Sequence, residues 1–565
     1  MRKRRSVEGL TVNAVAGTHV VLLGLNLAPS RRAGCLGFAI QREDHTEDER
    51  YWMTGMKTFA ATDPLLGPGG QVSSREHPFQ SFQWADYSAK PLHDYTYTVL
   101  PLYGKPTKLK EGASLSVRIA TEPEWATSGS PHSIFFNRGA IASQEYARRF
   151  QNQSPQVVGE AAYRWLSRGL LEAFQAFVAR ASGASFGLHG AFYEFQWPEA
   201  LATLKQAAER GVELEIVYDA IPGDTGPKDA NLAAIAAAGL KPFVTPHTEG
   251  KIMHNKFLVL SRKGKPIAVW TGSTNLTENG IFGHLNVGHA VDDAMTARRY
   301  LDYFAQLKAD EAVAEDKLWT AANNPAPPET WTEPLTLVFS PHKGLNVLDW
   351  YVGIADDLAA AHGANGPHQP LFMTFAFGMH DKFKAVYEQP AQTVLRFALM
   401  EKAGNGSGLA QGKKDIARIR NLPNVVVAIG DSIAINSFDR WLAERDKLTK
   451  EANVKYVHTK FMLVDPLGPK PVVITGSANF SEASTNTNGE NMLVIRNDRR
   501  VADIYLGEFM RIFSHYAFRE SLGFHRPVDQ NPSHLSADDS WQRAGYFDPG
   551  KDRHWRRLYF SRSTA

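Results

Sequence analysis

From about residue 10 to residue 121, apolar and polar side chains alternate along the chain, interrupted by Gly, Pro and Asp clusters. That alternation predicts strands and no helix. The candidate strands are residues 19–27, 34–41, 50–59, 79–86, 95–102 and 114–120, and short strands at this spacing predict an antiparallel β-sandwich. After residue 122 the period lengthens. Residues 161–182 carry Trp165, Leu166, Leu170, Leu171, Phe174 and Phe177 near helical spacing and read as one amphipathic helix. A strand at 185–195 follows, then a helix over 198–210 opened by Pro198, a strand at 212–219, a helix over 230–238 ended by Gly239, and a strand at 241–245. Segments 369–377, 393–400, 415–421 and 425–429 repeat that order further along. Strands alternating with helices predict βαβ units and mainly parallel sheets.

The proline-rich stretch 323–334 reads as a linker between two halves. The expected organisation is a sandwich over residues 1–125, α/β lobes over 126–330 and 331–520, and a tail over 521–565, rich in Arg and aromatics, that wraps the core. The fold class is therefore α/β: two lobes related by a pseudo-twofold axis, preceded by an N-terminal antiparallel β-sandwich. Residues 82–87 and 94–99 give that sandwich a loose resemblance to fibronectin type III and immunoglobulin-like modules, which says little about role; recognition of substrate or a protein partner is the expectation for it.

The halves share more than a pattern of elements. His254, Lys256, Ser273, Asn275 and Asn286 recur as His458, Lys460, Ser477, Asn479 and Glu490, each pair separated by the same 204 residues. A buried structural histidine has no reason to keep its lysine and asparagine at a fixed interval, so the repeat points to chemistry. Histidine supplies a nucleophile or general acid near neutral pH, lysine a charge for an anion, asparagine amide donors, and Gly-Ser a close approach of backbone. Packed about a pseudo-twofold axis, the two sets form one site with two His, two Lys and two Asn. That inventory suits a phosphodiester: Lys256, Lys460, Asn275 and Asn479, with Ser273 and Ser477, hold the phosphoryl oxygens while one histidine attacks and the other protonates the leaving oxygen. The intermediate is a phosphohistidine, and the lysines carry the charge that a metal would otherwise supply, so no metal and no cofactor is expected. One chain contains both sets, so a monomer suffices to form the site.

The doubled pattern resembles the phospholipase D superfamily, whose signature is His-x-Lys-x4-Asp followed by Gly-Ser-x-Asn, over roughly residues 130–520. The second copy is complete, including Asp465 and the later Glu490; the first has Ser261 in place of the aspartate and Asn286 in place of the later carboxylate. The resemblance implies a structural role for Asp465, and an orienting role for Glu490 on His254, making His254 the nucleophile and His458 the general acid. His284 and His289 have no copies in the second half and read as loop or core residues, and Phe257, Leu258, Phe461 and Leu463 as core.

With 62 basic and 59 acidic residues the net charge is +3, so bulk charge does not mark a nucleic-acid binder and any basic surface must be local. Candidates are Arg2, Arg4, Arg5, Arg148, Arg149, Arg556 and Arg557, interleaved with aromatics. No run is long and apolar enough for a membrane span, and Met1–Leu10 lacks the apolar core of an export signal. A single cysteine, Cys35, among apolar neighbours reads as a buried inert thiol, and a reducing cytoplasm is the expected setting. The acidic stretch 43–49 reads as a solvated hairpin loop and the glycine-rich stretch 404–408 as a surface loop. The expected activity is a metal-independent phosphodiesterase, with DNA or RNA as the expected substrate. A phospholipid hydrolase or transphosphatidylase is the alternative, and a silent phosphate-binding protein the third reading.

Overall fold

The computed structural model describes residues 1–139, 143–223, 226–356, 370–389, 394–404, 408–430, 441–442, 457–521 and 533–564. Residues 405–407 of the expected glycine-rich loop lie outside these. The N-terminal strands form two antiparallel sheets. One runs Arg2–Val7, Leu10–Ala16, Val21–Leu27, Gln83–Asp86; the other runs Lys108–Glu111, Asp94–Lys105, Gly37–Asp44, Glu49–Trp52, with Leu115–Ala120 also pairing along Asp94–Lys105. Alternate residues Tyr95, Tyr97 and Val99 turn inward against Phe38, Ile40, Leu23 and Leu25. Cys35 is fully buried there, and burial pushes its thiol up to about 11.

The expected strand list starts too late. Arg2–Val7 is itself a strand, in which Arg2 is held by the second lobe while Arg4 and Arg5 stay exposed. Arg2 donates to the carbonyls of Pro466 and Leu467 at 2.5 and 2.8 Å and pairs with Asp503 at 2.8 Å, pinning the sandwich to the second lobe. Arg4 donates to Ser561 O and Arg5 to Ser116 O. Arg557 is buried and bonded to Tyr546 O and Asn26. The tail closes the other side. Trp541 stacks on Phe82 at 5.2 Å and donates to Cys35 O, and the helix Asp552–Ser561 lies so close to Val21–Leu27 that a Cβ on Gly24 would stand 2.1 Å from Phe560 C.

Each lobe holds a seven-stranded sheet. The first is ordered His132–Phe136, Val287–Val291, Lys265–Gly272, Lys256–Arg262, Phe186–Phe192, Glu213–Asp219, Val244–His247; the second is ordered Leu335–Ser340, Glu490–Arg496, Val472–Gly476, Phe461–Val464, Leu371–Phe375, Arg396–Met400, Val425–Ile429. The sheets are mixed and not mainly parallel: only the last three strands of each run parallel. The motif strands explain the difference. In the first lobe Lys263 and Gly264, at φ 51° and 71°, join Lys256–Arg262 to Lys265–Gly272 in a two-residue turn, which connects antiparallel neighbours only. The expected helix over 161–182 is two, Glu160–Ser167 and Leu170–Ala179, because Arg168 and Gly169 take φ of 48° and 91°. The strand expected at 241–245 begins only at Val244, after a turn at Lys241–Phe243.

The sheets share a core in which the helices Ala294–Ala309 and Arg499–Ser521 bring Tyr300, Tyr303, Tyr505 and Phe509 against Phe257 and Phe461. Across the lobes Met253 bridges Gly489, and Leu285 bridges Val457. Each contact is the other's copy under the 204-residue repeat, so the halves are related by a pseudo-twofold axis that passes between the two motifs.

Candidate active site

The bridges carry the two histidines into one buried centre. His254 follows Met253 and holds its ring by Nδ1 against Glu490 of the other lobe, at 2.9 and 3.1 Å from the two carboxylate oxygens. His458 follows Val457 and holds Nδ1 2.9 Å from Asn286 Oδ1. The partners fix the tautomers. A carboxylate only accepts, so His254 Nδ1 carries the proton. The Asn286 amide donates Nδ2 to Gly280 O at 2.7 Å while its Oδ1 accepts from Ser273 Oγ at 2.8 Å, so His458 Nδ1 is also the donor. In both rings Nε2 is left with its lone pair. Asn286 is thus the counterpart of Glu490, with the second motif histidine as its partner.

Lys256 opens its strand and Lys460 immediately precedes the strand Phe461–Val464, with each motif histidine two residues before its lysine. Each buried ammonium donates to the carbonyl of its own histidine, at 2.5 and 2.6 Å. Burial lowers the Lys256 pKa to about 8 and that of Lys460 well below its usual range, where Lys256 adds like-charge repulsion. Burial also lowers the His254 pKa to about 4, opposed by Glu490, and takes His458 well below the usual histidine value, with Lys460 and His284 as further cationic causes. The centre thus sets two buried lysines and two neutral imidazoles beside the Glu490 and Glu194 carboxyls, and an anion between the lysines would offset their mutual repulsion.

The remaining motif residues divide. Among the described residues Asn275 and Asn479 each leave a buried Oδ1 without a hydrogen-bond partner, while Asn275 Nδ2 donates to Glu194. Ser273 and Ser477 are fully buried and accept from the backbone N–H of Val287 and Asn491, at 3.2 and 3.0 Å. Their hydroxyls hold the segments bearing Asn286 and Glu490 in place. Asp465 accepts from Tyr559 of the tail at 3.3 Å, and Ser261 bonds to Gly187 O at 3.3 Å, so this pair of positions lies away from the centre.

Three neighbours escaped the sequence reading. The Tyr193 ring lies 4.9 Å from His254 and 5.1 Å from Lys256 Nζ. Glu194 accepts from Asn275; burial raises its carboxyl pKa, and Lys256 and Lys460 oppose that rise. By sheet register their copies are Ala376 and Phe377, since Leu188 faces Leu260 and Leu371 faces Val464. His284, read as loop or core, stands 5.6 Å from His458, whereas His289 is core, bonded to His132 and Tyr505. A signal for Glu194 existed: it follows the carboxyl end of the strand where pairing switches from antiparallel to parallel, the customary place for a ligand.

A duplicated α/β lobe with crossed His–carboxylate and His–amide pairs over two buried lysines defines a two-motif protein of the His-x-Lys class. Residues 178–308 and 432–513 match the family model described as "Cardiolipin synthase, PLD-like domain". Each lobe thus carries one segment that matches this phospholipase D-like family model. Among curated proteins it is 43% identical over 61 residues to the mitochondrial cardiolipin hydrolase of Xenopus tropicalis, a stretch covering 11% of this chain and 27% of that protein. Among solved structures it is similar to the phosphatidylserine synthase of Haemophilus influenzae, at 9% identity and TM-score 0.41 over 62% of this chain and 85% of that one. It is similar also to the yeast tyrosyl-DNA phosphodiesterase, at 13% identity and TM-score 0.31 over 55% and 83%. No described helix is long and apolar enough to cross a membrane.

Proposed function

We propose that the protein is a phosphodiesterase that works through a phosphohistidine on His254 and that its substrate is a nucleic acid. The observation that carries the chemistry is the pair of crossed contacts, His254 with Glu490 and His458 with Asn286, over the two lysines. The phosphoryl oxygens sit between Lys256 and Lys460, with the Asn275 and Asn479 amides turned to donate. His254 Nε2 attacks phosphorus, forming the N–P bond as the P–O bond to the leaving group breaks. His458, protonated when the substrate's negative charge enters the pocket, gives its Nε2 proton to the leaving oxygen. It then takes a proton from water, whose oxygen attacks phosphorus and releases His254. Glu490 stabilises the positive charge that His254 acquires in the intermediate.

The nucleic-acid assignment is supported by the arginines and aromatic rings that the fold gathers beside the first lobe, described below. A phospholipid is the second reading, favoured by the matched domain's description and by the curated relative's name. Cleavage of labelled single- and double-stranded DNA and RNA in excess EDTA, with the native protein and His458→Ala, separates these. EDTA-resistant cleavage lost in the variant supports the nuclease. Cleavage of phospholipid alone under the same conditions selects the second reading, and no cleavage of either selects a silent phosphate-binding protein.

A further inference from the structure

Leu285, next to Asn286, also forms part of the wall of a separate recess of about 750 Å³, where the sandwich, the first lobe and the helix Arg499–Ser521 meet. Arg138, Arg148, Arg149, Arg168 and Arg511 line it. The acids nearby are already engaged. Asp86 pairs with Arg42 at 2.9 Å, Glu145 pairs with Arg148 and Arg149, and Glu508 bridges Arg168 and Arg511 at 2.8 and 2.7 Å. Arg138 is different. Its Nε donates to Trp165 O at 3.2 Å and its guanidinium lies 4.6 Å from the Trp165 ring centroid, but among the described residues no carboxylate pairs with it. Burial, with Arg168, Arg511 and Arg149 as like-charged neighbours, brings it down to about 9.

A guanidinium held among other guanidinia without a counter-ion is a standing electrostatic cost, and a phosphate is the group whose geometry and charge relieve it. The walls add a second requirement. Tyr51, with Arg42 over its ring at 4.8 Å, and Tyr87, its hydroxyl donating to Met510 O, line the recess and remain 39% and 36% exposed, leaving ring surface on which a base can stack. Phosphate-binding arginines interleaved with open aromatic faces fit a nucleic-acid strand better than a lipid headgroup, whose acyl chains call for an apolar exit.

We propose that this recess is an accessory nucleic-acid subsite, in which Arg138, Arg148 and Arg149 hold a backbone phosphate other than the scissile one while Tyr51 or Tyr87 stacks a base. The inference rests on the nuclease reading above. It differs from the expected basic surface by bringing in Arg138 and by excluding Arg2 and Arg557.

The test is fluorescence anisotropy of a labelled single-stranded oligothymidylate across a salt series, with the native protein, Arg149→Ala and the double variant Arg138→Gln/Arg149→Ala. Hydrolysis of the para-nitrophenyl ester of thymidine monophosphate reports the reaction centre separately. The double variant is expected to weaken oligonucleotide binding at least tenfold, to flatten the log K against log salt slope by about 0.7 for each phosphate it no longer neutralises, and to leave hydrolysis of the small ester within twofold. Arg149→Ala alone, at an exposed side chain whose removal leaves the core intact, is expected to weaken binding at least threefold. Unchanged affinity and slope in both variants, with the native protein still binding and cleaving the oligonucleotide, would overturn the subsite and leave the nuclease standing. Loss of binding to phosphatidylglycerol vesicles with oligonucleotide binding unaffected would also overturn it, in favour of a lipid surface. A native protein that cleaves the small ester but binds no oligonucleotide would overturn the nuclease reading and the subsite together.

Discussion

The two lobes present the same strands, lysine, serine and asparagine to the centre, yet they give their histidines unlike partners. The second lobe sends a carboxylate, Glu490, across to His254; the first sends an amide, Asn286, across to His458. Both partners fix the ring and its tautomer. Only the carboxylate also stabilises positive charge on the imidazole, which supports the proposed role of His254 as the nucleophile, while His458 is held in place without being made more basic. A duplicated scaffold thus supplies geometry by symmetry, and a division of labour by one side-chain difference. The lobe that follows the strand Phe186–Phe192 with Tyr193 and Glu194 faces one that follows the strand Leu371–Phe375 with Ala376 and Phe377, so the two copies differ there as well.

The comparison breaks most visibly at the histidines. His254→Asn is expected to remove turnover by roughly 10⁴-fold or more for any diester. His458→Asn is expected to slow the first step by about 10²–10⁴-fold with an alkoxide leaving group and little with para-nitrophenolate, which departs without a proton, while steady turnover of both falls because His458 also activates the water. Pre-steady-state bursts and steady-state rates on the two kinds of substrate check this. Next come their partners. Glu490→Gln is expected to slow the reaction on the order of a hundredfold, whereas Asn286→Asp changes the rate less than about tenfold and moves the pH profile upward, since a carboxylate favours protonated His458.

On the proposed assignment, reaction needs His254 neutral and His458 protonated, the latter proton taken up from a free form in which both rings are neutral. With His254 at about 4 and His458 depressed well below 6.5, kcat/KM is expected to fall as pH rises through neutrality, by about tenfold per unit. A rise over that range would contradict the assignment. Glu194→Gln removes a carboxyl that competes for Asn275 and repels phosphate, and inorganic phosphate is expected to inhibit the variant at about threefold to tenfold lower concentration.

The buried histidines also set an acid limit on stability. The unfolded chain binds a proton at each near pH 6.5, while folded His254 and His132 resist until about 4, so the folded state loses stability as pH falls through that window and regains it above. Melting temperatures measured from pH 7 to pH 4 should fall accordingly. Smallest in effect on turnover is Ser261→Asp, which restores the motif residue of the other copy. The site is 3% exposed and its hydroxyl donates to the Gly187 carbonyl, whereas Asp465 accepts from Tyr559. A carboxylate at position 261 would meet that acceptor without a proton to give, so a cost of about 1–3 kcal/mol in stability and no change in kcat is expected.

What could be read from the chain was what it repeats. His254, Lys256, Asn275 and their copies were legible because the chemistry fixes residue type and spacing together, and the lobes followed from them. Features that occur once were not. Tyr193, Glu194 and His284 lie outside the repeat, and their approach to the histidines depends on strand ends and loops that periodicity does not place. The sheet direction was misread because alternating helices and strands outweighed a two-residue turn at Lys263 and Gly264. Arg2 resembled a free basic terminus because its partners, Pro466, Leu467 and Asp503, lie more than 400 residues away.

The difference between the two halves reduces to which histidine carries the phosphoryl group. Incubating His458→Asn and His254→Asn with a para-nitrophenyl phosphodiester, quenching in alkali and mapping the labelled peptide by mass spectrometry decides it. The account predicts a phosphoryl group on the His254 peptide of the His458→Asn protein and none on the His254→Asn protein. A phosphoryl group on His458 would contradict it and exchange the two roles.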